Sequence, residues 1–241
     1  MQTGLSIVAS RYSVYKEVYA ERHRTREEQR IGKEFIRDVD TIIEKIADEL
    51  TEEEFDKIMQ LREEIMGKYH RNEVKINHTV MEIICAKYLI QLGFDVSLEH
   101  SLNSISTDIY AQKGMGSLIV EVETGFVPPD HALDPMTYLK ARVTSKITRY
   151  SSYANKFVLA SPPHYIMQVP PSLTKPPRFR TEEEVAHMKM LCDLYYKSPP
   201  VSFEEIRNAR IHSIYVVDVD NGALREWDVN EYMGKAALWT L

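Results

Sequence analysis

The sequence predicts an α/β domain, a central mixed sheet flanked by helices, extended by an N-terminal helical region. Three observations predict it. Residues 11 to 71 are charged, lack proline, and carry apolar side chains at helical spacing. From residue 78 the rhythm changes to a buried helix, three short strand patterns, a second helix and another strand. Near the end, Asn221-Gly222 joins two further strand patterns, the strongest short hairpin signal.

In order, Phe35, Val39, Ile42, Ile43 and Ile46 form one helical stripe, and Thr51-Glu52-Glu53-Glu54 opens the next helix as a capping box. Ile58, Leu61, Ile65 and Met66 continue behind that cap. These stripes need a partner, either the main domain or a second copy of the chain, so residues 1–75 are read as a supporting or dimerising extension. Val80 to Leu92 is apolar on nearly all sides and stops at Gly93, a C-terminal cap. Strand patterns follow at Asp95 to Glu99, Thr107 to Gln112 and Ser117 to Thr124, the last two joined by a turn with Gly114 and Gly116. Pro128, Pro129 and Pro135 precede a helix from about Met136 to Ala154, and Lys156 to Ala160 reads as a buried strand. Pro162 to Pro177 is too long for a plain connection and is a candidate functional loop. Thr181 with Glu184 and Ser202 with Glu205 open two more helices, and a terminal helix follows Asn230. Residues 76–241 are thus one α/β domain with a helix-hairpin-helix elaboration from about 181.

A chain of 241 residues, 44% hydrophobic, can bury a full core. Its net charge of -6 argues against a generally basic nucleic-acid coat. Cys85 and Cys192 lie far apart in apolar helical patterns, which disfavours disulfides and structural zinc and points to a reducing compartment. No apolar stretch approaches the roughly 20 residues of a membrane span, and Arg11 and Lys16 have no apolar run behind them as a signal peptide would. The expectation is a cytoplasmic protein with no membrane partner.

The chemistry concentrates in acids. In Ser117-Leu118-Ile119-Val120-Glu121-Val122-Glu123-Thr124, alternation puts Glu121 and Glu123 on one face and Leu118, Val120 and Val122 on the other. Neighbouring carboxylates on so apolar a strand repel unless a cation or hydrogen bonds hold them. A hard divalent ion, Mg2+ or Mn2+, suits them. Asp108 sits on the preceding strand pattern. Glu82 falls on the buried side of its helix, opposite Lys87 and Gln91, unless it closes a capping box with Thr79. The competing reading for Asp108, Glu121 and Glu123 is a solvated strand face.

Glu82 on a first helix, Asp108 on a strand and Glu121-Val122-Glu123 on the next, followed by an amphipathic helix and a strand, resemble the PD-(D/E)XK nuclease superfamily over residues 78 to 161. Glu-Val-Glu-Thr-Gly ahead of a Lys/Arg/Tyr-rich helix looks most like its archaeal and archaeal-virus members. The resemblance implies a restriction-endonuclease-like fold and Mg2+-dependent endonucleolytic hydrolysis of DNA. It implies Asp108 and Glu121 as metal ligands, with Glu82 and the Val122 carbonyl completing the set. Two positions depart from the pattern: Thr107 replaces proline, and Glu123 occupies the place of the family's lysine. Some similar restriction enzymes carry Glu-x-Glu, and elsewhere the lysine migrates to the following helix. Lys146 would then act with Glu123 on the attacking water, Lys140 and Lys113 being further candidates.

Between Asp134 and Glu182 no acid occurs, while Lys140, Arg142, Lys146, Arg149, Lys156, Lys175, Arg178 and Arg180 do. On the long helix, Arg142, Lys146, Arg149 and Tyr153 form a stripe beside the core stripe of Leu139, Val143, Ile147, Tyr150 and Ala154. A solvated face ordinarily mixes signs, so Lys140, Arg142, Arg149, Tyr153, Arg178 and Arg180 are read as phosphate-binding residues. Tyr165, Phe179 and Arg180 stack on bases or pack in the loop. His78, His100, His131 and His164 are scattered singly. Glycine-rich phosphate loops, nucleophile elbows and zinc motifs are absent from the sequence. Two other readings stand beside the nuclease, each with its own expectations: a DNA-binding protein of the same fold without hydrolysis, and an interaction module built on residues 11 to 71. A homodimer would supply the two sites that cutting both strands needs.

Overall fold

The computed structural model describes residues 33–71, 73–74, 76–102 and 105–239. The part of the N-terminal helical region from 11 to 32 lies outside the described residues. Helices α1 (Lys33–Ile46), α2 (Glu52–His70) and α3 (Ile76–Gln91) lead into strands β1 (Asp95–Leu102), β2 (Ile105–Lys113) and β3 (Gly116–Val122). After them come α4 (Pro135–Tyr150), β4 (Lys156–Ser161), the short α5 (Pro171–Thr174), α6 (Glu182–Tyr195), α7 (Phe203–Asn208), β5 (Ser213–Asp218), β6 (Ala223–Asp228) and α8 (Val229–Ala236).

Local chemistry sets the boundaries. Thr51, Thr181 and Ser202 each accept from the N3 backbone amide while the N3 glutamate returns the bond, so all three capping boxes form. Gly93 ends α3 at φ +80, a conformation that favours glycine. Pro135 does not stop the chain before α4. It is the first residue of that helix, where its missing N–H costs nothing, and Asp134 caps it by accepting from the Thr137 amide. The α3 helix starts at Ile76, so Thr79 lies inside it and the alternative reading, a Thr79–Glu82 capping box, has no helix end to cap.

The six strands form one mixed sheet in sequence order. β1, β2 and β3 are an antiparallel meander, β3–β4 and β4–β5 are parallel, and β5–β6 closes as an antiparallel hairpin with Gly222 at φ +62. Because β5 pairs with β4, the expected helix-hairpin-helix elaboration is part of the main sheet. Side-chain alternation separates two cores. On one face Leu118, Val120, Val122, Val158, Ala160 and Val217 pack against α1, α2 and α3. On the other Ile119, Phe157, Leu159 and Ile214 pack against α4, α6 and α7. The result is three layers, helix, sheet and helix. The apolar stripes of α1 and α2 are covered by this domain itself. Lys45 of α1 donates to the Val219 and Asp220 carbonyls of the β5–β6 turn, and Lys87 of α3 to the Gly222 carbonyl. Both cysteines are buried free thiols. Among the described residues no helix is long and apolar enough to cross a membrane.

Candidate metal centre

The β2–β3 ladder stops at the pair Ile109–Val120. One residue further on, acid side chains take over the ladder's bonds. The Asp108 amide donates to Glu121 Oε1 at 3.0 Å and the Val122 amide donates to Asp108 Oδ2 at 2.7 Å. The strands therefore fork, with Asp108 and Glu121 in the opening. β1 yields at the same level. Glu99 adopts φ +44, a sparsely populated conformation for a side-chain-bearing residue, and the β1–β2 register skips it. Lys68 of α2 donates to the carbonyls of Leu98 and Glu99 there.

Residues from both helical layers enter the fork. From α3, Glu82 is fully buried, and His78 lies one helical turn before it with Nδ1 3.8 Å from Asp108 Oδ2. His78, Glu82 and Asp108 each offer a ligand atom, all within 4.8 Å of one another. From α4, the Lys146 ammonium lies 3.2 Å from Glu121 Oε2 and 3.7 Å from Asp108 Oδ2, and donates to the Val122 carbonyl at 2.6 Å. Lys146 is also 3.9 Å from Glu123, whose Oε2 accepts from Arg142 Nε at 2.7 Å and whose Oε1 accepts from the Gly125 amide. Burial works against the Arg142 charge, but Glu123 and the Tyr138 hydroxyl outweigh it and raise its pKa. The Cys85 thiol beside the site is pushed up by burial and by Glu82 and Asp108.

Glu82, Asp108, Glu121, Val122, Glu123 and Lys146 are thus brought together. Arg142 joins them through Glu123, and the other sequence candidates do not. Lys113 donates to the Leu92 carbonyl at the far end of β2. Lys140 and Tyr153 stand on the surface, and Arg178 is exposed over the Phe179 ring. Arg142 belongs to Glu123, and Arg149 donates to the Pro199 carbonyl and lies over the Tyr196 ring. Arg180 drops out of the phosphate-binding set. It is buried and makes five bonds to the carbonyls of Ser172, Leu173, Lys175, Ile206 and Arg207, locking the proline-rich loop to α7. The acid-free run meets its acids after all, because β2 and β3 supply them to α4. His78 was not foreseen as a site residue. The signal that finds it is its i, i+4 spacing to Glu82 on a buried helix.

His78, Glu82 and Asp108 are a donor set that could hold a metal ion. No family model matches the chain, and neither a curated protein nor a solved structure matches it at a significant level.

Proposed function

We propose that this chain is a metal-dependent nuclease that hydrolyses DNA phosphodiester bonds at the β2–β3 fork, in the manner of the PD-(D/E)XK enzymes it resembles. The observation that carries the reading is the convergence of Glu82, Asp108 and Glu121 from three separate elements, fully buried, with the Lys146 ammonium beside Asp108 and Glu121. An apolar core gains nothing from gathering such charges, which cost free energy unless compensated. His78, Glu82 and Asp108 would hold the ion, with Glu121 beside them. When bound, such an ion polarises a phosphoryl oxygen and lowers the pKa of water. Lys146 orients the attacking water and offsets charge developing on the phosphate. Glu123, gripped by Arg142 and the Gly125 amide, fixes the position of Lys146. It replaces the lysine of the resembled motif with an anchor for one arriving from α4.

The test is cleavage of single-stranded, branched and duplex DNA with Mg2+ or Mn2+. Asp108→Ala should abolish cleavage, a loss of about a hundred-fold or more, and leave DNA retention intact. Retention without cleavage on every substrate would favour a DNA-binding protein without hydrolysis.

A further inference from the structure

A cavity of about 430 Å3 opens between the start of the proline-rich loop and the β5–β6 hairpin with α8, lined among others by Pro162, Pro163, Tyr165, Trp227, Tyr232 and Lys235. Its wall stands back to back with the candidate metal centre. The Tyr165 ring abuts Gly125, where an added Cβ would come within 2.5 Å of it, and the Gly125 amide donates to Glu123. The wall is also rigid: the Tyr232 hydroxyl accepts from the Met167 amide and donates to the Tyr165 carbonyl. A second cavity, also about 430 Å3, shares Pro162 and His164 with the first and reaches Thr124, next to Glu123. The two cavities thus adjoin at Pro162 and His164.

The chemistry of the first cavity is that of a nucleobase site. Its walls are flat aromatic rings and prolines, it is large enough for a purine, and no acid lines it. Lys235, which lines the cavity, holds its ammonium 4.1 Å from the centre of the Trp227 ring, and the guanidinium of Arg225, outside the lining, lies 3.8 Å from that centre. Aromatic and proline walls with a lysine among them and positive charge close by are complementary to an unpaired base carried on a phosphate chain.

Resting on the proposed nuclease reading, we infer that this cavity receives an unpaired base of the nucleotide next to the phosphate held at the fork, so that the substrate is single-stranded or locally unpaired DNA. A paired base cannot enter, because its edge and both faces are engaged in the duplex.

The test uses the full chain and three probes: a short single-stranded oligodeoxynucleotide, an abasic oligonucleotide of the same length and charge, and the duplex. Binding is followed by tryptophan fluorescence, with Trp227→Phe identifying the signal of Trp227 against that of Trp239. The single strand should change the Trp227 signal and bind about ten-fold more tightly than the abasic chain. Ala236→Phe, which fills the cavity, should erase that difference while leaving affinity for the abasic chain unchanged. Equal binding of abasic and base-bearing strands by the wild-type protein, or an equal Trp227 response to duplex, would overturn the inference. The two readings fail separately. Base-dependent binding without cleavage removes the hydrolase and keeps the base site, and cleavage that ignores missing bases does the reverse.

Discussion

Lys146 illustrates how much one side chain decides. Among the described residues its ammonium is the nearest lysine or arginine cation to Asp108 and Glu121, and it is mostly buried with them. Removing one partner from a buried ionic cluster strands the others, so Lys146→Ala should lower unfolding free energy by about 3 kcal/mol in a chelating buffer. Added Mn2+ should restore much of that loss, which denaturant unfolding with and without the ion would measure. His78 sets a second expectation: His78→Ala should weaken Mn2+ binding more than Mg2+ binding in calorimetric titration, because only the softer ion gains from imidazole. Arg180 shows the limit of reading charge from sequence. A basic residue in an acid-free run reads as a phosphate ligand, whereas here five carbonyls claim it. Backbone acceptors of a loop leave no mark in composition, and neither does the partnership of Arg142 with a glutamate nineteen residues away.

Among the elements, those with chemical punctuation were legible. Capping boxes at Thr51, Thr181 and Ser202, Gly93 behind α3 and the Asn-Gly turn all act locally, within a few residues of the ends they fix. The start of α3 was not legible, because Thr79 imitates a cap inside the helix. The fork was equally hidden. Alternation puts Glu121 on the α4 face and α3 over the other, and only the early end of the β2–β3 ladder lets residues of both helices meet. His212 offers a test at this scale. Its Nδ1 accepts from the Phe157 amide and its own amide donates to the Phe157 carbonyl, tying β4 to the approach to β5. Burial, with Lys156 and Arg210 adding to it, lowers the pKa of His212 from its usual value near 6.5. The unfolded chain therefore takes up a proton at a higher pH than the folded one, and this contribution to stability is lost as pH falls below about 6.5. Thermal unfolding midpoints between about pH 5 and 7 should slope less for His212→Gln than for the parent.

Across the whole molecule, α1 and α2 share the core of the sheet they cover. Ile43 and Ile46 are completely buried, and Ile46 meets the β5–β6 turn so closely that a Cβ on Gly222 would come within 2.9 Å of it. The N-terminal helices thus span the molecule from the Lys68 contact beside Asp108 to the last hairpin. Ile43→Ala should cost about 3 kcal/mol, read from the shift in urea midpoint. The layered α/β architecture was legible because periodicity reports which faces are buried. What it cannot report is which layer a helix joins, and the alternatives of support or dimerisation for α1 and α2 turned on that.

The side-chain bonds that replace the ladder at Asp108 and Glu121 make the opening a seam closed by its own acids. An ion seated there would rivet β2, β3 and α3 together. Slowed hydrogen exchange at the Asp108 and Val122 amides would record the rivet even in a variant that no longer cuts DNA. Chelation should unpick the strands from that end first, long before the distant hairpin loosens.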